Sequence, residues 1–95
     1  MTELWYPWAI RRDGPDWKQG YNGDHLPHPK AGVTVHSMQG WLAGALGILD
    51  GSAQRSWHFS IDQAGQVYQH YPADAVAWHC ANATGNRTTV GIEME

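Results

Sequence analysis

The hydrophobic pattern changes character along the chain. Residues 1–30 show no period of 2 or 3.6, and Pro7, Pro15, Pro27 and Pro29, with Gly14, Gly20 and Gly23 between them, predict a mostly irregular arm. From Ala31 the order sharpens. "GVTVHS" reads as a short β-branched strand, and "QGWLAGALGILDG" sets Leu42, Leu46 and Leu49 on one stripe, widened by Trp41, Ala45 and Ile48. That stripe predicts a helix over residues 39–50, closed by Gly51. "SWHFSID" alternates, "QAG" turns with Gly65 at the tight position, and "QVYQHY" alternates again, which predicts a hairpin. "PADAVAWHCANATGNRT" reads as a loop and "TVGIEME" as a final strand. The fold class expected is α/β in the α+β sense, a mixed central sheet with a helix packed on one face. Residues 1–30 form the arm and residues 31–95 the folded part.

Side chains two apart in a strand share a face. Trp57, Phe59 and Ile61 are therefore expected on one side, with Ser56, His58 and Ser60 on the other. Val90, Ile92 and Met94 oppose Glu93 and Glu95 in the same way. If the helix covers the apolar side, His36, His58 and Glu93 emerge together from the opposite one. Any sheet with one wet face shows such alternation. Two imidazoles and a carboxylate on separate strands, however, are the residue types that hold a metal and act as a base.

Composition narrows the classes. With 95 residues there is room for one modest core, and 42% apolar residues, 16% charged residues and a net charge of -3 exclude a disordered chain or a nucleic-acid-coating surface. One cysteine, Cys80, allows no internal disulfide and no Cys-rich zinc cage, and it reads as a small buried apolar side chain. No apolar run is long enough for a membrane span, and "MTELWYPWAIRRDGPDW" lacks the layout of a signal peptide. Six Trp and four Tyr suit core packing first and stacking on sugars or peptide groups second. Of the six His, His25, His28 and His70 carry no motif and read as solvated. The N-x-[ST] matches at Asn82 and Asn86 are short enough to arise by chance.

Taken together, "VTVHSMQG", "SWHFSIDQAGQVYQHYP", "VAWHCAN" and "TTVGIEME", in this order and spacing, resemble the N-acetylmuramoyl-L-alanine amidases of the type-2 amidase fold. That group includes bacterial and phage cell-wall hydrolases and peptidoglycan recognition proteins. The resemblance implies a zinc-dependent enzyme that cuts the amide between N-acetylmuramic acid and L-alanine in peptidoglycan, in the manner of a phage endolysin. It implies synthesis in the cytoplasm and action on the cell wall after release. Carried onto this chain, it makes His36 a Zn2+ ligand and Glu93 the general base. It sets Trp57, His58, Trp78 and His79 along the substrate groove, and His58 is the candidate for steadying the oxyanion or passing a proton to the leaving amine.

The family's remaining two zinc ligands follow a helix downstream of the "GIEME" strand. The resemblance therefore implies that residues 31–95 are the N-terminal part of an amidase domain, completed by a C-terminal segment or by a second chain. A local ligand set of His36, His58 and His79 or Glu93 is the chemical alternative. Members that keep the groove and lose the metal give the other functional class, a peptidoglycan-binding module or an inactive fragment without cleavage.

Overall fold

In the computed structural model, residues 4–20 and 27–95 are described, and every structural statement below concerns those residues. His25 lies outside them. The β-branched run becomes strand β2, Gly32–Ser37. It is followed by helix α1, Leu42–Asp50. The alternating pair becomes β3, Phe59–Ile61, and β4, Val67–Gln69, which pair antiparallel. The last strand, β5, runs Thr89–Met94. A two-residue strand from the arm, β1 at Ile10–Arg11, adds parallel to β4, giving a five-stranded mixed sheet in the order β1-β4-β3-β5-β2. β5 is central to the folded part because it pairs parallel with β2 on one side and β3 on the other.

Local chemistry explains the boundaries. Gly65 takes φ +86 at the hairpin turn, where Asp62 Oδ1 accepts from the amides of Ala64 and Gln66. α1 begins three residues later than its apolar stripe suggests, because Gln39 adopts φ 52 and Trp41 is still extended. The Leu42 amide then donates to Glu95 Oε2 at 2.6 Å, so a carboxylate from the end of β5 caps the helix at its positive pole. At the other end the buried Lys18 donates through Nζ to the Ile48 carbonyl, and Arg12 forms a bidentate pair with Asp50. The arm is thereby fastened to both the sheet and the helix. A further short helix, α2 at Ala83–Thr88, stands where a loop was expected. Asn82 caps it by accepting from the Gly85 amide, but its six residues carry no apolar stripe to read.

One expectation is corrected. α1 does not cover the apolar side of the sheet. Its buried Ala45 and Leu49 pack with Trp57, Tyr71 and Ala75, and Trp57 donates from Nε1 to Ser60 Oγ, on the face that carries Glu93. The cap from Glu95, two residues beyond Glu93, ties the helix to that same face. On the opposite face Val33 and Val35 are 59% and 58% exposed, while Tyr6 and Trp8 of the arm stack on Phe59. The stripe is also narrower than it reads. Trp41, at the cap, is 71% exposed, and Ile48 is exposed too.

Candidate functional site

His36 and Glu93 are register partners on β2 and β5, and Ser60 on β3 is the next partner across, so the three share one face. Glu93 is only 3% exposed. Arg55 approaches its Oε1 at 3.5 Å, whereas the buried Oε2 has no hydrogen-bond partner. Burial raises the Glu93 pKa above the usual carboxylate range, with His36 and Arg55 pulling it back down. A buried carboxylate with an arginine near one oxygen and no hydrogen-bond partner on the other has the attributes of a general base. Glu95, its neighbour on the same side, is differently committed, with its two oxygens accepting from the amides of Leu42 and Gln63.

His79 joins this face from the loop after β4. Its ring lies against Gly91 of β5, where even a Cβ would come within 2.6 Å of the imidazole. His79 Nδ1 is 3.2 Å from His36 Nε2 and 3.1 Å from Cys80 Sγ, and His79 Nε2 is 3.2 Å from the Thr89 carbonyl. Burial lowers the His79 pKa, with the Thr89 carbonyl acting in the other direction. The backbone that presents the pair is itself gripped, since Asn86 Oδ1 accepts from the amides of both His79 and Cys80 at 2.9 and 2.7 Å. Ala81, at φ 58, then turns the chain away.

Cys80 is thus half-buried beside two imidazoles, in place of the inert core side chain expected from the sequence. Its signal was adjacency to His79 in "AWHC"; Asn86 had no signal beyond a chance-level motif. One nitrogen from each of His36 and His79 and the Cys80 sulfur all lie within 4.8 Å of one another. Two imidazoles and a thiol are donors that suit zinc.

The other expected residues fall differently. His58 is fully buried, its Nδ1 accepts from the Gly91 amide at 2.9 Å, and its Nε2 donates to the Ala75 carbonyl at 2.7 Å. Burial pushes its pKa down to about 3, so the ring is neutral and both nitrogens are engaged with backbone. Trp57 is 2% exposed in the core under α1 and does not line a groove. The cause is local: residue 57 precedes β3, and its indole turns toward Ser60 instead of following Phe59. Trp78 is half-buried, donates to the Gly20 carbonyl and, with Gln54, Ala81 and Asn86, lines an opening of about 300 Å³ next to Cys80. His70, expected in solvent, is buried between Ser60 Oγ and the Arg12 carbonyl, and burial lowers its pKa to about 4. A larger depression of about 460 Å³ lies between the arm and the segment around Lys30, but none of the expected site residues lines it. The titratable cluster therefore marks the site better than cavity size does.

The sequence model of the family described as N-acetylmuramoyl-L-alanine amidase matches residues 26–95. The chain belongs to that amidase family. It is 36% identical over 71 residues to the N-acetylmuramoyl-L-alanine amidase CwlH of Bacillus subtilis (strain 168), an alignment covering 65% of this chain and 28% of CwlH. It is 32% identical over 83 residues to the endolysin PlyTW of Staphylococcus phage Twort, covering 81% of this chain and 16% of PlyTW. The structure of a mutant endolysin from Bacillus subtilis superposes with a TM-score of 0.70 at 28% identity, over 90% of this chain and 59% of that one. The chain spans less than two thirds of the length of each of these relatives.

Proposed function

We propose that this chain carries the base-bearing face of a zinc-dependent peptidoglycan amidase, which hydrolyses the amide between N-acetylmuramic acid and L-alanine. The observation that carries the reading is Glu93, a buried carboxylate with an open oxygen, set one strand away from His36 on the same face. Membership of the amidase family and the names of CwlH and PlyTW supply the substrate class. Zinc, held with His36 as a ligand, would polarise the scissile carbonyl and make an attacking water more acidic.

Glu93 Oε2 takes a proton from the attacking water as the C–O bond forms. The C–N bond then breaks, and that proton reaches the alanine nitrogen, leaving a free amine and a lactyl carboxylic acid that gives its remaining proton to solvent. Arg55, 3.5 Å from Oε1, places positive charge beside the carboxylate. His58 acts as a positioning residue in this account, bracing the Gly91 amide of β5 against the Ala75 carbonyl. Trp78 and the opening beside it are the proposed substrate contacts. Residues 31–95 are proposed as the amidase-domain portion, with residues 1–30 as an arm that braces it. No helix among the described residues is long and apolar enough to cross a membrane, and the proposed place of action is the bacterial cell wall.

The test is release of new L-alanine amino termini from purified cell wall, with and without chelator. Cleavage should be chelator-sensitive, and Glu93→Gln should lower it by about 100-fold or more, the range of a lost general base. Binding to insoluble wall with no release by the native chain would instead support the non-catalytic module. Undiminished cleavage by Glu93→Gln would remove Glu93 from the mechanism.

A further inference from the structure

We infer that Arg55 is a specificity-determining residue of the amidase site, pairing with a free carboxylate on the peptide side of the cleaved amide, one residue beyond L-alanine. This deepens the amidase reading and rests on it for the position of the scissile bond.

Arg55 stands at the mouth of the site. Its Nη2 lies 3.5 Å from Glu93 Oε1, yet its side chain is 58% exposed while Glu93 is buried. The guanidinium is therefore on the solvent side of the base, where a substrate must pass. A charge-assisted hydrogen bond closes to about 2.7–2.9 Å, so the contact with Glu93 is a longer ion pair that leaves the donors of the guanidinium available. Those donors form a planar fork that fits a carboxylate in bidentate fashion. Glu93 is the one acid that pairs with Arg55 among the described residues. Glu95, on the same side of β5, has both oxygens engaged with backbone amides.

The backbone that presents Arg55 is fixed. The Ser56 amide donates to the Trp78 carbonyl at 3.1 Å, and the buried Ser56 Oγ accepts from the Trp78 amide at 2.9 Å and donates to the Lys18 carbonyl. Gln54, on the other side, lines the opening of about 300 Å³ with Trp78. One short segment, residues 54–56, thus contributes a wall of the opening, a cation beside the base and a clamp on the Trp78 loop. The reach also fits. Extended chain advances about 3.3–3.6 Å per residue, so a carboxylate one residue beyond alanine lies about 7 Å from the scissile carbonyl. A guanidinium that begins 3.5 Å from Oε1 and points its remaining N–H groups outward covers that span.

Charge makes the choice. The Glu93 carboxylate repels an anion arriving beside it, and Arg55 offsets that repulsion at the point of entry. A neutral carboxamide in the same place gains an ordinary hydrogen bond without charge pairing.

Calorimetric titration of the full chain with N-acetylmuramoyl-L-alanyl-D-isoglutamate and with its D-isoglutamine counterpart tests this, because the two ligands differ only by carboxylate against carboxamide. The native chain should bind the carboxylate ligand about 10-fold more tightly, a preference that weakens with added salt. Arg55 is exposed, so Arg55→Gln leaves the core intact; it should abolish the preference without changing affinity for the carboxamide. Arg55→Lys, which keeps the charge and loses the fork, should retain part of it. Where the ligands are cut, the same ratio should appear in KM. Equal affinity of the native chain for the two ligands, a preference that survives in Arg55→Gln, or binding of neither ligand overturns the assignment. The amidase reading is decided separately, by chelator-sensitive release from purified wall, which requires no preference between the two ligands.

Discussion

A single side-chain oxygen, Oδ1 of Asn86, accepts from the backbone amides of both His79 and Cys80, and Asn86 is itself buried. Replacing Asn86 with Ala leaves two part-buried amides without their acceptor. We expect a loss of about 2 kcal/mol in denaturant unfolding, since a buried unsatisfied donor costs about 1–3 kcal/mol. A change below about 0.5 kcal/mol, within the scatter of ordinary surface substitutions, would show that water takes over the role of Oδ1. At this scale the sequence was informative about His36 and Glu93, because strand alternation assigns them a face. It was silent on Asn86 and misleading on Cys80, because a hydrogen bond or a sulfur contact leaves no period in the chain.

β5 is the element on which the site is assembled. It supplies Glu93, pairs with the strand of His36, offers the Thr89 carbonyl to His79 and ends in the carboxylate that caps α1. Gly91 is the residue that lets the His79 ring lie against this strand. Gly91→Ala would drive a methyl into the imidazole, so the ring must swing away or the strand must shift. The expected cost is about 1–3 kcal/mol, typical of overpacking. Unchanged stability would contradict the close approach. The elements themselves were largely legible, including β2, the β3–β4 hairpin, α1 and β5. What periodicity could not give was the side on which α1 sits, because its small buried face packs on loop residues and an indole instead of on the strand valines.

Across the whole molecule, two buried neutral histidines make stability depend on pH. His58 and His70 fall from a model-peptide value of 6.5 to about 3 and about 4 in the folded chain. Below about 6.5 the unfolded chain takes up protons that the native state refuses, so stability is fully present above that pH and declines as pH falls toward the folded values. Glu93 acts in the opposite direction, since its raised pKa means that acidification first relieves a buried charge. His58 and His70, with His79 depressed in the same sense, outweigh the one carboxylate. Unfolding by denaturant at pH 7 and pH 5 should show a loss of about 2–4 kcal/mol at the lower pH. His70→Gln should flatten that dependence. Equal stability at the two pH values would mean that the imidazoles charge without unfolding the chain.

The order of the main elements and the shared face of His36 and Glu93 were determined by the sequence. They follow from local propensities, turn chemistry and the period of two, which act over a few residues. Tertiary structure alone decided which polar atoms are engaged. Only in the folded chain does Glu95 become a helix cap, His58 a backbone brace and Glu93 a carboxylate with an open oxygen. The same holds for the grouping of His36, His79 and Cys80, brought within 4.8 Å although the first and last stand on opposite sides of the hairpin in the chain. Hydrogen bonds and ligand geometry are fixed by distances between residues far apart in sequence, and those distances exist only once β5 has paired between β2 and β3.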